Sequence, residues 1–188
     1  MVMLDDAAMD RRAEAAALLA PELETVALPA WDCLPYDRVS PRRAILGRRL
    51  AALGRVVEPA SAGRLVLTTV SAVLQRVPPR AAVAGAGRRI GKGTRLAQNA
   101  LTGELERFGF ARVETVTEPG EYAVRGGIVD LYPAGAGQPV RLDFFGDDID
   151  TLRVFDPATQ RSTGDISAVV LTPVSEAPLD KDAIVRFR

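Results

Sequence analysis

The chain has 188 residues, enough for one large domain or two small ones. Its 24 Lys+Arg balance 24 Asp+Glu, and a zero formal net charge argues against nucleic-acid binding driven by a basic surplus. A single cysteine, Cys33, and no histidine rule out an internal disulfide framework and leave nothing for a zinc centre or a histidine-based triad.

The start, Met1 to Asp6, has neither the basic region nor the apolar core of a secretory signal, and no apolar run approaches the ~20 residues that span a bilayer. A cytoplasmic protein is the expectation. Asp10 to Leu19 is alanine-rich with spaced charges and predicts a helix that ends near Pro21. Thr25 to Leu28 predicts a short strand. Trp31 to Pro41 reads as irregular. Pro41 suits a helix start, and Ile45, Leu46, Leu50 and Leu53 recur at helical spacing over Arg42 to Leu53. Arg64 to Val70 is almost continuously apolar, as in a strand buried on both faces of a parallel sheet. Ser71 is placed to cap a helix over Ala72 to Arg76, before Pro78-Pro79. Helices alternating with strands make this half an α/β pattern.

The texture changes after the small residues Ala81 to Gly87. Arg88 to Arg95 predicts a strand pair or turn around Gly91-Lys92-Gly93. Leu96 to Phe108 predicts an amphipathic helix with Leu96, Ala100, Leu101, Leu105 and Phe108 inward, stopped by Gly109. Strands are then expected over Arg112 to Thr117, Glu121 to Val124, Gly127 to Tyr132, Val140 to Phe145, Ile149 to Phe155 and Ser167 to Leu171. Asp156-Pro157-Ala158-Thr159 is a turn. The second half therefore predicts a small α+β domain with an antiparallel sheet and one helix on it. Pro173 to Pro178 reads as a linker, and Lys181 to Phe187 as the beginning of another helix.

Two attractive motifs fail. Around Gly91-Lys92 a phosphate loop needs glycine where Ala86 stands and Ser or Thr where Gly93 stands. The dinucleotide fingerprint fails after Gly85-Ala86-Gly87, where Arg88-Arg89-Ile90 offers no glycine at the required spacing. Asp147 and Asp148 belong to an Asp/Gly turn, and Cys33, between Trp31 and Leu34, fits a buried inert thiol. The run Arg38, Arg42, Arg43, Arg48, Arg49 and Arg55 reads first as a solvated helix face. No catalytic or metal-ligating residue is expected.

Alternation along Arg141 to Phe145 puts Leu142 and Phe144 on one face and Arg141, Asp143 and Phe145 on the other. Gly126-Gly127 permits a bulge or bend that re-aims Arg125. If the strands holding Leu131 and Arg141 pair, Arg125 and Arg141 meet on one sheet face beside Phe145. Two planar cations and an aromatic ring suit the docking of an acidic, apolar protein surface. The other reading pairs both arginines internally, with Glu121, Asp143 or Asp147, and buries Phe145 in the core.

Leu34-Pro35-Tyr36-Asp37, Gly120-Glu121-Tyr122-Ala123-Val124-Arg125-Gly126-Gly127, Val140-Arg141-Leu142-Asp143-Phe144-Phe145 and Leu152-Arg153-Val154-Phe155-Asp156 follow in that order. Together they resemble the N-terminal part of the bacterial transcription-repair coupling factors, a part similar to the excision-repair protein UvrB. The likeness covers nearly the whole chain. It implies a partial RecA-like parallel-sheet region without a nucleotide site over 1–87. It further implies a UvrB domain 2-like, UvrA-binding domain over 88–173, and a linker with the start of a further helix over 174–188. The family's UvrA contacts fall on Arg125, Arg141 and Phe145. Glu121 and Asp143 are expected to orient the two arginines.

The implied role is a non-catalytic module that recruits UvrA to stalled RNA polymerase for nucleotide excision repair. ATP with magnesium, RNA polymerase and double-stranded DNA are engaged in that family by domains outside this sequence, which reads as a fragment or short form. No cofactor is expected in this chain. The alternatives are a UvrB-type damaged-DNA-binding helicase fragment and a structural scaffold. UvrB should carry a phosphate loop and an aromatic hairpin, and the step from Leu34-Pro35-Tyr36-Asp37 to Pro41 leaves no room for that hairpin.

Overall fold

The computed structural model describes residues 1–34, 38–60, 63–84 and 87–176. The helix expected over Lys181 to Phe187, most of the Leu34 to Asp37 motif and Gly85-Ala86 lie outside them. In the first half, β1 (Val2–Met3), α1 (Asp6–Leu19), β2 (Glu24–Leu28), α2 (Arg43–Val57) and β3 (Arg64–Thr69) are followed by two short helices, α3 (Val70–Leu74) and α4 (Arg80–Val83). The second half contains β4 (Arg88–Gly91), α5 (Gln98–Arg107), β5 (Ala111–Arg112), β6 (Glu121–Arg125), β7 (Ile128–Leu131), β8 (Val140–Phe145), β9 (Asp148–Phe155), β10 (Ser162–Asp165) and β11 (Ala168–Leu171).

The first half is an α/β layer. β3 lies between β1 and β2, parallel to both. Its second half, Leu67 to Thr69, is buried, as the nearly continuous apolar run implied for a strand covered on both faces. α1 starts where the Asp5 carboxylate accepts from the Ala8 amide at 2.7 Å. Asp32 fixes the start of α2 by accepting from both the amide and Nε of Arg42. Thr69, not Ser71, caps the helix after β3, because the helix begins at Val70, two residues earlier than expected, and Thr69 Oγ1 accepts from the Ala72 amide. β1 is an edge strand, and Met1, Val2 and Leu4 are exposed beside it. No described helix is long and apolar enough to cross a membrane.

The second half is built on a six-stranded sheet in the order β10-β9-β8-β7-β6-β5. It is antiparallel except for β5, which runs parallel to β6 and is only two residues long, against the longer strand expected to reach Thr117. β10 was not anticipated; its residues are polar and exposed, which hides the alternation that marks a half-buried strand. β4 pairs with β11, nearly eighty positions later, so the Gly91-Lys92-Gly93 turn closes no local hairpin. The Lys92 and Gly93 amides donate to Ser167 and Ile149 carbonyls, and are therefore engaged in the sheet rather than free to cradle a phosphate.

α5 covers one face of the six-stranded sheet. Leu101 and Leu105 pack there with Tyr122, Val129, Leu131, Leu142 and Leu152 in the main core. Ala100, expected inward, is exposed, and Glu104 takes a buried position paired with Arg88. α5 starts two residues later than the apolar pattern implied, so the buried Leu96 lies before the helix rather than on its stripe. Gly109 ends the helix at φ +86°, a conformation that favours glycine.

The halves touch through glycine and charge. A side chain at Gly47 of α2 would bring Cβ within 2.0 Å of the Ala134 Cβ. Only glycine lets the helix reach this loop. Farther along α2, the buried Arg49 donates to Glu176 (2.9 Å), to the Pro29 carbonyl (2.6 Å) and to Gln75 (3.1 Å), with its guanidinium 5.3 Å from the centre of the Trp31 ring. Other arginines of the expected basic run are paired locally: Arg42 with Asp32, Arg48 with Asp10 and Arg55 with Glu24.

Candidate functional site

The face of the six-stranded sheet opposite α5 carries the arginines. Pairing is direct: Ala123 lies opposite Asp130, Asp130 opposite Arg141, and Arg141 opposite Arg153. Residues in register share a face, so this row crosses four strands on one side. One step along, Arg125, Ile128, Asp143 and Thr151 form a second row. Phe145 stands one step beyond Asp143, at the end of β8, opposite Asp148.

Gly126-Gly127 is a hairpin turn between β6 and β7, not a bulge or bend within a strand, because Arg125 and Ile128 are direct partners across it. Gly126 adopts φ +58°. Its carbonyl accepts from Gln98 Nε2 at 2.8 Å, and the Gly127 carbonyl accepts from the Phe144 amide at 2.8 Å. The turn is thus tied to α5 and to β8. Irregularities in this sheet lie instead in β9, where the register shifts opposite Asp143 and Phe144, and in β10, where it shifts between Ser162 and Gly164. β8 itself keeps its alternation, with Leu142 buried and Phe145 turned out, 83% exposed.

The two arginines do meet, but through a residue the sequence reading left out. Asp130 is 1% exposed. Its Oδ1 accepts from Arg141 Nε at 2.7 Å, and its Oδ2 from Arg141 Nη2 at 2.9 Å and Arg125 Nη2 at 2.8 Å. The Asp130–Arg141 pair is bidentate, the geometry a guanidinium fork favours. Arg141 lies 4.9 Å from the centre of the Phe155 ring and is held as a cation: the Asp130 hydrogen bond raises its pKa against the opposing effect of burial. Val116, Ala123 and Phe155 form a small apolar cluster at this end of the face.

Exposure separates the three expected contacts. The Arg125 side chain is 49% exposed and the Arg141 side chain 17%. Phe145 and Arg125 are therefore the reachable groups, with Arg141 behind them. Neither expected orienting residue bonds to the arginines. Glu121 accepts from the amides of Thr117 and Glu118 and holds the turn before β6. Asp143 accepts from Thr151 and Arg153. Burial alone would raise the Asp143 pKa, but these two hydrogen bonds and the charges of Arg153 and Arg141 carry it below the usual carboxylate range. Both residues are engaged elsewhere, and the strand register sets Asp130 opposite Arg141 and one step from Arg125. A signal for it existed: Ile128-Val129-Asp130-Leu131 is an apolar strand with one carboxylate in it, and alternation puts that carboxylate on the Arg125 face.

Residues 89–176 match the family model described as the UvrB interaction domain. The chain is similar to the transcription-repair-coupling factor of Escherichia coli (strain K12), 42% identical over 161 residues, or 86% of this chain and 14% of the relative. The protein of the same description from Myxococcus xanthus is 36% identical over 162 residues, 86% of this chain and 13% of the relative. That from Mycobacterium bovis (strain ATCC BAA-935 / AF2122/97) is 34% identical over 166 residues, 85% of this chain and 13% of the relative. The chain thus spans about 14% of the length of the curated relatives it matches.

Proposed function

We propose, for a chain that belongs to the transcription-repair-coupling factor family, that residues 88–173 form a docking domain that binds UvrA and so recruits it to stalled RNA polymerase. Arg125, Arg141 and Phe145 make up the binding site. The parallel-sheet half, residues 1–87, supports this domain. The module acts by binding rather than by catalysis, in the cytoplasm, and takes no cofactor of its own. ATP-driven translocation on double-stranded DNA and contact with RNA polymerase belong, in this reading, to other parts of the family's proteins.

The exposure of Phe145 carries the reading. A phenylalanine left in water at the tip of a hairpin contributes nothing to the core, yet an apolar pocket on a partner would gain from covering it. Arg125 stands on the same face with half its side chain open, ready for a carboxylate. An aromatic anchor beside an arginine is the usual composition of an interface hot spot.

The test is titration calorimetry of the chain with purified UvrA. Phe145→Ala is expected to weaken binding by about 2 kcal/mol or more, roughly thirtyfold, with an unchanged melting temperature. Arg125→Ala is expected to weaken it less, and Arg141→Ala to lower both affinity and stability. Unaltered affinity in a folded Phe145→Ala protein would remove the basis of the proposal.

A further inference from the structure

The geometry points to Asp130 and Arg141 as a buried bracket that positions Arg125 for the partner, with Arg141 acting through Asp130 rather than by touching the partner itself. The inference rests on the docking reading above and assigns a division of labour within the same site.

Arg125 sits at the last position of β6, immediately before the Gly126-Gly127 turn. A long side chain there, half in water, samples many rotamers, and fixing them on binding costs affinity. Asp130 removes part of that freedom in advance by accepting from Arg125 Nη2 at 2.8 Å. Arg125 Nε and Nη1 are not used in this bond, and they are the donors left for a carboxylate of an acidic partner surface.

A lone buried carboxylate would be a poor clamp, since burial without a partner favours its neutral form. Arg141 supplies the compensating charge through two hydrogen bonds, and the Phe155 ring beneath it limits its movement. Its Nη1 leans toward the Gln160 carbonyl at 3.4 Å. With its side chain only 17% exposed, Arg141 has little surface to offer a partner. Arg125 Nη2 and Arg141 Nη2 share Oδ2 of Asp130, so a change at one arginine reaches the other through a single oxygen.

The experiment combines binding and dynamics. Asp130→Leu with Arg141→Met replaces the bracket by apolar groups and leaves no buried charge, a change that often preserves folding. In the unbound chain, nitrogen relaxation of Arg125 Nε is expected to report restricted motion in the wild type and faster, wider motion in this double variant. Equal mobility in both overturns the bracket, whatever UvrA does. In titrations with UvrA, the double variant is expected to lose affinity about fivefold, less than or equal to the loss in Arg125→Ala. Adding Arg125→Ala to it should cost nothing like the full single-variant loss. A loss from the double variant that persists at full size in the Arg125→Ala background means that Arg141 contacts UvrA directly, and sinks the positioning role. If Phe145→Ala and the double variant both bind as the wild type does, the docking reading itself has failed, while the relaxation result still judges the bracket.

Discussion

Two arginine centres hold this molecule, one between the halves around Trp31 and one on the open sheet face around Phe155. Each places a guanidinium about 5 Å from an aromatic ring, 5.3 Å for Arg49 and 4.9 Å for Arg141, and each matches it to a carboxylate. They differ in what surrounds the carboxylate. Glu176 is shared between Arg49 and the Trp31 indole, both from the first half, so the first centre closes on itself as a join between segments. Asp130 is shared between two arginines of the sheet, and one of them reaches water. The same chemistry is therefore a structural clasp around Glu176, largely out of solvent, and leaves one arm exposed around Asp130, where the docking proposal puts the partner.

The largest test of this contrast removes the carboxylate of the open centre. Asp130→Ala leaves Arg141 largely buried without its partner, and should lower unfolding free energy by about 3–5 kcal/mol in urea titrations. A loss below 1 kcal/mol would mean water already compensates Arg141, and the two centres would not be alike. The closed centre comes next. Arg49→Met keeps the stem packed against Trp31 but frees Glu176, which retains some solvent access, and a loss of about 2–3 kcal/mol is expected by the same measurement. UvrA affinity per folded molecule should stay unchanged, because none of this centre's groups bonds to the proposed docking residues.

The smallest effect concerns Asp143, beside the open centre. Its folded pKa is depressed, so its contribution is complete above the unfolded carboxylate value of about 4 and fades as pH falls through the folded value. Asp143→Asn should therefore destabilise the chain at pH 7 by about 1 kcal/mol, the net worth of hydrogen bonds partly open to water, and by less at pH 3. Glu24, Asp32 and Asp156 are depressed too: the Arg64 hydrogen bond lowers Glu24, burial at Asp32 is outweighed by Arg42, and the Thr159 amide lowers Asp156. Comparing variant with wild type cancels their share of the acid sensitivity. A penalty that is the same at both pH values would show that the Asp143 charge is irrelevant.

Local rules made much of this legible. Parallel burial was written in the apolar run of β3, the outward ring in the alternation of β8, and the helix stop in Gly109. Each depends on neighbours in sequence or on a period the strand or helix imposes by itself. The misses share a cause. β10 shows no apolar face, β4 finds its partner in β11 far along the chain, and Glu104 is buried only because Arg88 comes to meet it.

The sequence by itself determined which residue types were available: two arginines, a phenylalanine and several carboxylates on short alternating strands, in an order that marks the family. The tertiary structure alone decided which carboxylate they meet. Glu121 and Asp143 are nearer candidates on paper, but the register of β7 between β6 and β8 sets Asp130 under both guanidinium groups. Hydrogen-bond reach is a matter of ångströms across strands, and separation along a chain does not measure it.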